Sequence, residues 1–190
     1  ITSEFYLRLH QAHGIDIRCN TMATALEGDT AVSGVVCSDG SKISADMVIV
    51  GIGVIPNTEL ASDAGLDVDN GILVNEFGQT SHQNIVAAGD CTNHPNPILN
   101  KRLRLESVPN ATEQAKAAAA SICGIEKQYA ELPWFWSDQY DVKLQIAGMN
   151  QGYTDTQIRG DSSSNSFSVF YLKDNIILAA DCINRPKDFM

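Results

Sequence analysis

Asn84-Ile-Val-Ala-Ala-Gly-Asp-Cys91, followed after a short polar loop by Glu106-Ser-Val-Pro-Asn-Ala-Thr-Glu-Gln-Ala115, is the part of the chain around which the rest is organised. The apolar run at 85–88 reads as a buried strand bounded by a turn. Gly89 at its end lets a ligand approach the backbone, and Asp90 sets a carboxylate just past the strand's C-terminal edge. Open α/β sheets bind their ligands at that edge. Pro109 then opens an Ala-rich helix, as Pro does in first turns, and Gly124 closes it. A carboxylate beside a helix N-terminus suits a ligand that carries ribose-like hydroxyls and develops negative charge. On local grounds alone, Asp90 also reads as a turn residue or helix cap, as most strand-end aspartates are.

Upstream, residues 47–50 (Met-Val-Ile-Val) are apolar without alternation, as expected of a strand covered on both faces. They lead into Gly51-Ile-Gly53-Val-Ile-Pro56-Asn57. That segment is not a dinucleotide fingerprint, because the third glycine is missing, a proline follows and no phosphate-binding helix start has the right spacing. A tight turn leaving a strand is its plain reading. Residues 58–64 should form a short helix stopped by Gly65, and 71–74 should resume the sheet. Nearer the start, Thr2 or Ser3 can cap a helix to about residue 13, with Phe5, Leu9 and Ala12 on one face and Gly14 as its stop. Residues 15–19 read as a short strand. Residues 21–27, 30–37 and 42–45 then form an antiparallel meander turning at Gly28-Asp29 and Asp39-Gly40. A chain that starts inside a helix without Met is expected to be a piece of something longer.

Downstream, residues 92–105 read as a loop carrying His94, Pro95 and Pro97, then Lys101, Arg102 and Arg104. The basic cluster is either a solvated face or a docking patch for an acidic partner, whose encounter rate local opposite charge would raise. The helix at 109–123 is favoured by its alanines. Beyond a polar connector, a smaller β-rich unit is expected, with strands near 142–147, 154–160, 167–172 and 176–182. Its turns fall at 161–165 and Asp174-Asn175. The fold class is α/β.

The totals narrow the function classes. A chain of 190 residues, 44% of them hydrophobic, can bury a good core. Its net charge of −10 argues against nucleic acid and anionic membrane as partners. No apolar run reaches transmembrane length, and no signal-peptide pattern opens the sequence. The five cysteines (19, 37, 91, 123 and 182) are odd in number and never spaced as CxxC, as expected of reduced thiols in a cytoplasmic protein. The four histidines show no ligand spacing, so no metal is expected.

Ile85-Val-Ala-Ala-Gly-Asp-Cys91, with Thr80 ahead of it, resembles the second flavin-contact motif of flavoproteins with two dinucleotide domains. Pro133-Trp-Phe-Trp-Ser-Asp-Gln139 is narrower. It resembles the start of the C-terminal domain in NADH-dependent ferredoxin reductases of the putidaredoxin and rubredoxin reductase type, within the pyridine nucleotide-disulfide oxidoreductase superfamily. The similarity runs essentially end to end. It implies remnants of two Rossmann-like domains, residues 1–57 from the NAD-binding domain and 58–128 from the FAD-binding domain, followed by a small α+β reductase domain at 129–190. The family's two GxGxxG fingerprints do not occur here, so this polypeptide is expected to be the C-terminal portion of such a reductase and to hold neither dinucleotide firmly alone.

The same resemblance implies the site. FAD and NAD(P)H are the expected cofactors, and a ferredoxin- or rubredoxin-type carrier, reached through Lys101, Arg102 and Arg104, is the expected partner. Asp90, beside Gly89, would accept a hydrogen bond from a ribityl hydroxyl. Val108 and Pro109 would lie near the flavin ring, and Glu106 where a nicotinamide carboxamide could be held, although Glu106 reads equally as a surface carboxylate. Ile52 and Gly53 would line the nicotinamide end of the site. Trp134 and Trp136 are expected on opposite faces of their segment, Trp134 towards the flavin and Trp136 in the packing. NAD(P)H would give a hydride to FAD, which passes single electrons to the carrier. Rival readings are another enzyme of the superfamily, such as an NADH oxidase or an apoptosis-inducing-factor-like oxidoreductase, and a non-catalytic docking module.

Overall fold

Hydrogen-bond partners, more than apolarity, decide which segments of this chain become strands. The computed structural model describes residues 1–190 and divides into two units, Ser3–Val54 and Ile1–Thr2 with Ile55–Met190. In the first unit, helix α1 (Thr2–Ala12, its first residue counted with the other unit) ends where Gly14 takes φ +78°. The expected meander follows as β1 (Ala23–Gly28), β2 (Val32–Cys37) and β3 (Lys42–Ser44), antiparallel in that order. Gly40 at φ +83° and the Asp39 carboxylate, which accepts from the Ser41 N–H at 2.9 Å, make the second turn.

Two expected strands of this unit do not form. Residues 15–19 join no strand. The apolar run at 47–50 is also strandless and exposed, with Ile49 88% accessible. A strand covered on both faces needs a neighbour to satisfy its backbone, and within this chain none pairs with the run.

The second unit opens with α2 (Glu59–Asp63), stopped by Gly65 at φ +75°, and the short strand β4 (Ile72–Leu73). The run at 85–88 is half-buried and is not a strand. Its pairing amounts to one isolated bridge, Val86 to Gln79, flanked by the Ala87 N–H to Gly78 O bond at 2.9 Å and the Thr80 N–H to Ile85 O bond at 3.1 Å. The supposed polar loop after it is instead a hairpin, β5 (Thr92–Asn96) and β6 (Lys101–Leu103), with β5 parallel to β4. Polar side chains can line a strand when the backbone around them supplies their partners. Asn93 Nδ2 donates to Asp69 O at 2.8 Å, Asn96 Nδ2 donates to Glu131 O at 2.9 Å, and Asn96 Oδ1 accepts from the Leu99 N–H at 3.0 Å, closing the turn. Pro95 falls beyond the two residues that β4 reaches, so its missing N–H breaks no bond to that neighbour.

Helix α3 (Val108–Ile122) starts one residue ahead of Pro109, with Ser107 as its cap. Gly124 at φ +71° ends it. Ala117 and Ala118 are buried on one face, where Gly78 approaches so closely that an added Cβ would stand 3.0 Å from Ala118 Cβ.

Five antiparallel strands complete the unit: β7 (Trp134–Gln139), β8 (Val142–Gly148), β9 (Asp155–Asp161), β10 (Ser166–Lys173) and β11 (Ile176–Ile183), in the order β7-β8-β11-β10-β9. Asp174 and Asn175, at φ +51° and +63°, form the two-residue turn that matches strand twist. Both faces of β10 are largely buried, as its unalternating sequence implies. The buried Asp181 carboxyl receives the Tyr171 hydroxyl at 2.6 Å and the Thr2 hydroxyl at 2.8 Å, the hydrogen bonds that a buried polar group needs. A short terminal helix, α4 (Pro186–Phe189), lies on β8 and β11.

Candidate functional site

The turn at Gly89 is stapled to α3 by one buried amide. The Gly89 N–H donates to Gln114 Oε1 at 2.6 Å. Thr92 Oγ1 lies 2.8 Å from Gly89 O and 2.7 Å from the same Gln114 oxygen, its single proton serving one at a time. Gln114 is fully buried, and its Nε2 finds no partner. Gly89 itself has φ +90°, and an added Cβ would meet only Ala111 Cβ, at 3.7 Å. Gly89 is itself buried, and it has no Cβ of its own to bar a neighbour. Thr80, ahead of the motif, donates its hydroxyl to Ile85 O at 2.9 Å and so ties the loop that delivers this turn.

Asp90 stands exposed beyond Gly89, its carboxylate outside the unit's ion pairs. Its backbone oxygen accepts from Arg104 Nη1 at 3.2 Å, and the same nitrogen donates to Glu106 Oε1 at 2.7 Å. Arg104 Nε reaches Asn70 Oδ1 at 3.2 Å. One mostly buried guanidinium thus braces the Asp90 turn against Glu106 and the loop before β4.

At the mouth of α3, Ser107 Oγ accepts from the Asn110 N–H at 3.3 Å. Pro109 has no N–H, so the Val108 N–H is the donor that the first turn has left to offer, at the positive end of the helix dipole. Below it, buried Asn110 donates to Leu105 O at 3.0 Å and accepts from the Tyr129 hydroxyl at 2.9 Å. Burial, and then the Glu131 and Glu113 carboxylates, push the Tyr129 phenol up to about 12, so it stays a donor. Glu106, Ser107, Val108, Phe135 and Trp136 line a pocket of about 190 Å³ at this mouth. Pro109, Asn110, Tyr129 and Trp134 line a smaller neighbouring cavity of about 30 Å³.

The fold therefore gathers Gly89, Asp90, Glu106, Val108 and Pro109 around the start of α3. Ile52 and Gly53 belong to the other unit, Ile52 92% exposed and Gly53 at φ +102° in open space. The two tryptophans correct the expectation of opposite faces. Residues two apart on a strand share a face, and on β7 the Trp134 and Trp136 rings lie 5.5 Å apart. Trp136, not Trp134, lines the pocket with Glu106 and Val108. Of the basic cluster, Arg104 is turned inward, and Arg102 donates to Val74 O at 2.8 Å, to Asn93 Oδ1 at 3.2 Å and to Asn93 O. Lys101 reaches out, to Gln151 at 3.1 Å.

Sequence reasoning passed over Gln114 and Arg104 as parts of the site. The spacing Ala111-Gln114-Ala118 marks one helix face, so a glutamine on that buried stripe was the available signal. Arg104 carried no comparable mark.

The description "pyridine nucleotide-disulphide oxidoreductase" matches residues 1–115, and "reductase C-terminal" matches 134–190. The chain belongs to the pyridine nucleotide-disulphide oxidoreductase family. Among this family's curated members, putidaredoxin reductase CamA from Pseudomonas putida is 47% identical over 190 residues, covering 98% of this chain and 45% of its own length. Rubredoxin-NAD(+) reductase from Pseudomonas putida is 36% identical over 178 residues, covering 93% of this chain and 46% of its own length. This chain spans about half the length of the curated relatives it matches. Among solved structures, a covalent putidaredoxin reductase–putidaredoxin complex superposes with TM-score 0.94 at 47% identity, over 99% of this chain and 46% of that one. A ferredoxin reductase from Rhodopseudomonas palustris gives TM-score 0.94 at 40% identity, over 98% and 46%.

A flavin dinucleotide, the kind of cofactor such pyridine nucleotide-disulphide oxidoreductases imply, fits what stands at the mouth of α3. An unpaired exposed carboxylate and a helix-end donor suit the sugar-alcohol and ring-edge portion of that group. No helix of the chain is long and apolar enough to cross a membrane.

Proposed function

We propose that this chain is the C-terminal part of a cytoplasmic flavoprotein reductase that passes electrons from NAD(P)H through FAD to a ferredoxin- or rubredoxin-type carrier. The observation that carries the reading is the unpaired Asp90 carboxylate, held at the α3 mouth by the Gly89–Gln114 bond and the Arg104 brace. Relatives named as putidaredoxin and rubredoxin reductases, 47% and 36% identical, support the choice of acceptor class. Bound FAD supplies the redox chemistry, taking electrons in pairs and releasing them singly. The chain's own residues bind and orient. Asp90 accepts from a ribityl hydroxyl, the Gly89 backbone allows contact, and the Val108 N–H with the α3 dipole faces the ring edge where negative charge develops, next to Pro109.

Glu106, which Arg104 holds, would accept from a nicotinamide carboxamide. Trp136 covers the pocket, and Trp134 supports it through ring contact. In this reading residues 1–57 belong to the NAD-binding domain, 58–128 to the FAD-binding domain and 129–190 to the reductase C-terminal domain. Lys101 and the exposed part of Arg102 are the cations left to greet an acidic carrier, Arg104 being occupied by the brace.

The test is Asp90→Ala in the full-length protein. Because the side chain is exposed and unpaired, the thermal midpoint of the flavin-free form should stay within about 2 °C, as expected for a surface change of a few tenths of a kcal/mol. FAD affinity should fall about tenfold, the loss of one charge-assisted hydrogen bond. Unchanged flavin affinity would remove Asp90 from the site and the reading with it.

A further inference from the structure

Helix α4 is tied to the sheet through side chains of its own. Its position is set by one carboxylate. Asp188 Oδ2 accepts from Arg185 Nε at 2.9 Å and from Ser168 Oγ at 2.9 Å, while Oδ1 accepts from Arg159 Nη1 at 3.0 Å. Ser168 on β10 and Arg159 on β9 are register partners, so two adjacent strands and the helix's own cap residue converge on Asp188. Arg159 is further held over the Phe170 ring at 5.3 Å. These three donors hold the Asp188 carboxyl down at about 2, so it remains charged at any working pH.

The next residue faces the other way. The Phe189 ring lies 5.5 Å from that of Trp134, which in turn lies 5.5 Å from that of Trp136 on the pocket wall. Both indoles are partly open to solvent. Phe189 is the ring that α4 sets against Trp134, so its seating bears on the angle of the indole pair.

We infer that Asp188 is a positioning residue: through the Arg159–Asp188–Arg185 clamp it seats Phe189 against Trp134 and so fixes the Trp134–Trp136 pair beside the pocket at the α3 mouth. The consequence for turnover rests on the electron-transfer reading above. A fixed indole pair presents one constant wall between the flavin and its acceptor, whereas a loosened pair samples several, and misplacement of this kind slows a step that depends on geometry. Uptake of electrons from the nicotinamide draws on Glu106, which Arg104 holds independently of the indoles.

The experiment uses the full-length protein with Asp188→Ala, Phe189→Ala and Phe189→Tyr. Near-ultraviolet circular dichroism reads the coupling of the two indoles directly, whatever the enzyme does. The coupled signal should drop at least about twofold in Asp188→Ala and Phe189→Ala and persist in Phe189→Tyr, which keeps the ring. Stopped-flow bleaching of the flavin by NADH should stay within about twofold in all three, while kcat for reduction of a ferredoxin or rubredoxin falls about tenfold in the two alanine variants only. An unchanged indole signal in Phe189→Ala, whose clamp is intact, overturns the inference. So does an equal loss of bleaching and carrier reduction, because a merely structural role would produce it. Should the wild type reduce neither carrier, the electron-transfer reading fails, and the dichroism alone decides the positioning role.

Discussion

His94 is the residue whose environment departs furthest from its chemistry. It is 1% exposed on β5, both ring nitrogens lack a partner, and its ring meets Tyr129 edge-on at 5.0 Å. Burial, and then the nearby Arg102 charge, hold its pKa down at about 4 from an ordinary 6.5. The sign of the linkage follows. A group with a depressed folded pKa contributes stability that is present above the unfolded value and is lost as pH falls towards the folded one. Between about pH 6.5 and 4 the native state should therefore weaken by up to about 3 kcal/mol from this group. His94→Phe, which keeps the edge contact and removes the orphan nitrogens, should flatten that slope and leave neutral-pH stability unchanged or raised. Urea midpoints measured at several pH values check this, and equal slopes in the two proteins would exclude the assignment. Gln114 is the opposite case, a buried amide whose oxygen holds the Gly89 N–H that the site depends on. Neither role is written in the residue's identity. Histidine and glutamine in a polar stretch look solvated until their surroundings are known.

At the scale of elements, the helix–loop contact under the site is the tightest joint. Gly78 has φ +74°, and an added Cβ would lie 3.0 Å from Ala118 Cβ, 3.2 Å from Ala118 Cα and 3.3 Å from Ala87 O. Two of those three atoms are backbone and cannot swing away. Gly78→Ala should thus destabilise by roughly 2–4 kcal/mol, combining left-handed strain of about 1 kcal/mol with overpacking of about 1–3 kcal/mol. Adding Ala118→Gly should recover the packing part and not the strain. Chemical denaturation of the single and double variants reads both, and full recovery in the double variant would mean the backbone strain is negligible. The elements themselves were unevenly legible. The β1–β3 meander, α3 and the four strands from 142 to 183 follow their turn signals and periodicity, because glycine, Asp-Asn and cap residues act locally. The β5–β6 hairpin was hidden, since Thr92 to Asn96 are polar and are satisfied by Asp69, Glu131 and Leu99, residues that local patterns do not reveal.

At the scale of the whole molecule, the first unit carries an exposed apolar run. Met47, Ile49, Val50 and Ile52 are all exposed, and apolar exposure of this kind marks an interaction surface or an aggregation liability. With the chain about half the length of its curated relatives, the proposed covering is sequence that lies outside these residues. Expressed as residues 1–190 alone, the protein should bind a hydrophobic dye, self-associate and retain well under one flavin per chain. The full-length protein should do none of the first two and carry near-stoichiometric flavin. Sedimentation and flavin absorbance per polypeptide distinguish the cases, and a monomeric yellow fragment would contradict the expectation.

Sequence alone determined the class of fold, the β1–β3 meander, helix α3, the four strands from 142 to 183 and the family resemblance, because turn chemistry, helix caps and short motifs act over a few neighbouring residues. It also marked Asp90 and the α3 mouth. Only the tertiary structure decided which residues brace that site. Arg104 turned inward rather than outward, Trp136 took the pocket wall beside Trp134, and the 47–50 run stayed unpaired. Each of these depends on partners tens of residues away, whose geometry, and not their identity, settles where a charge or a ring can be satisfied.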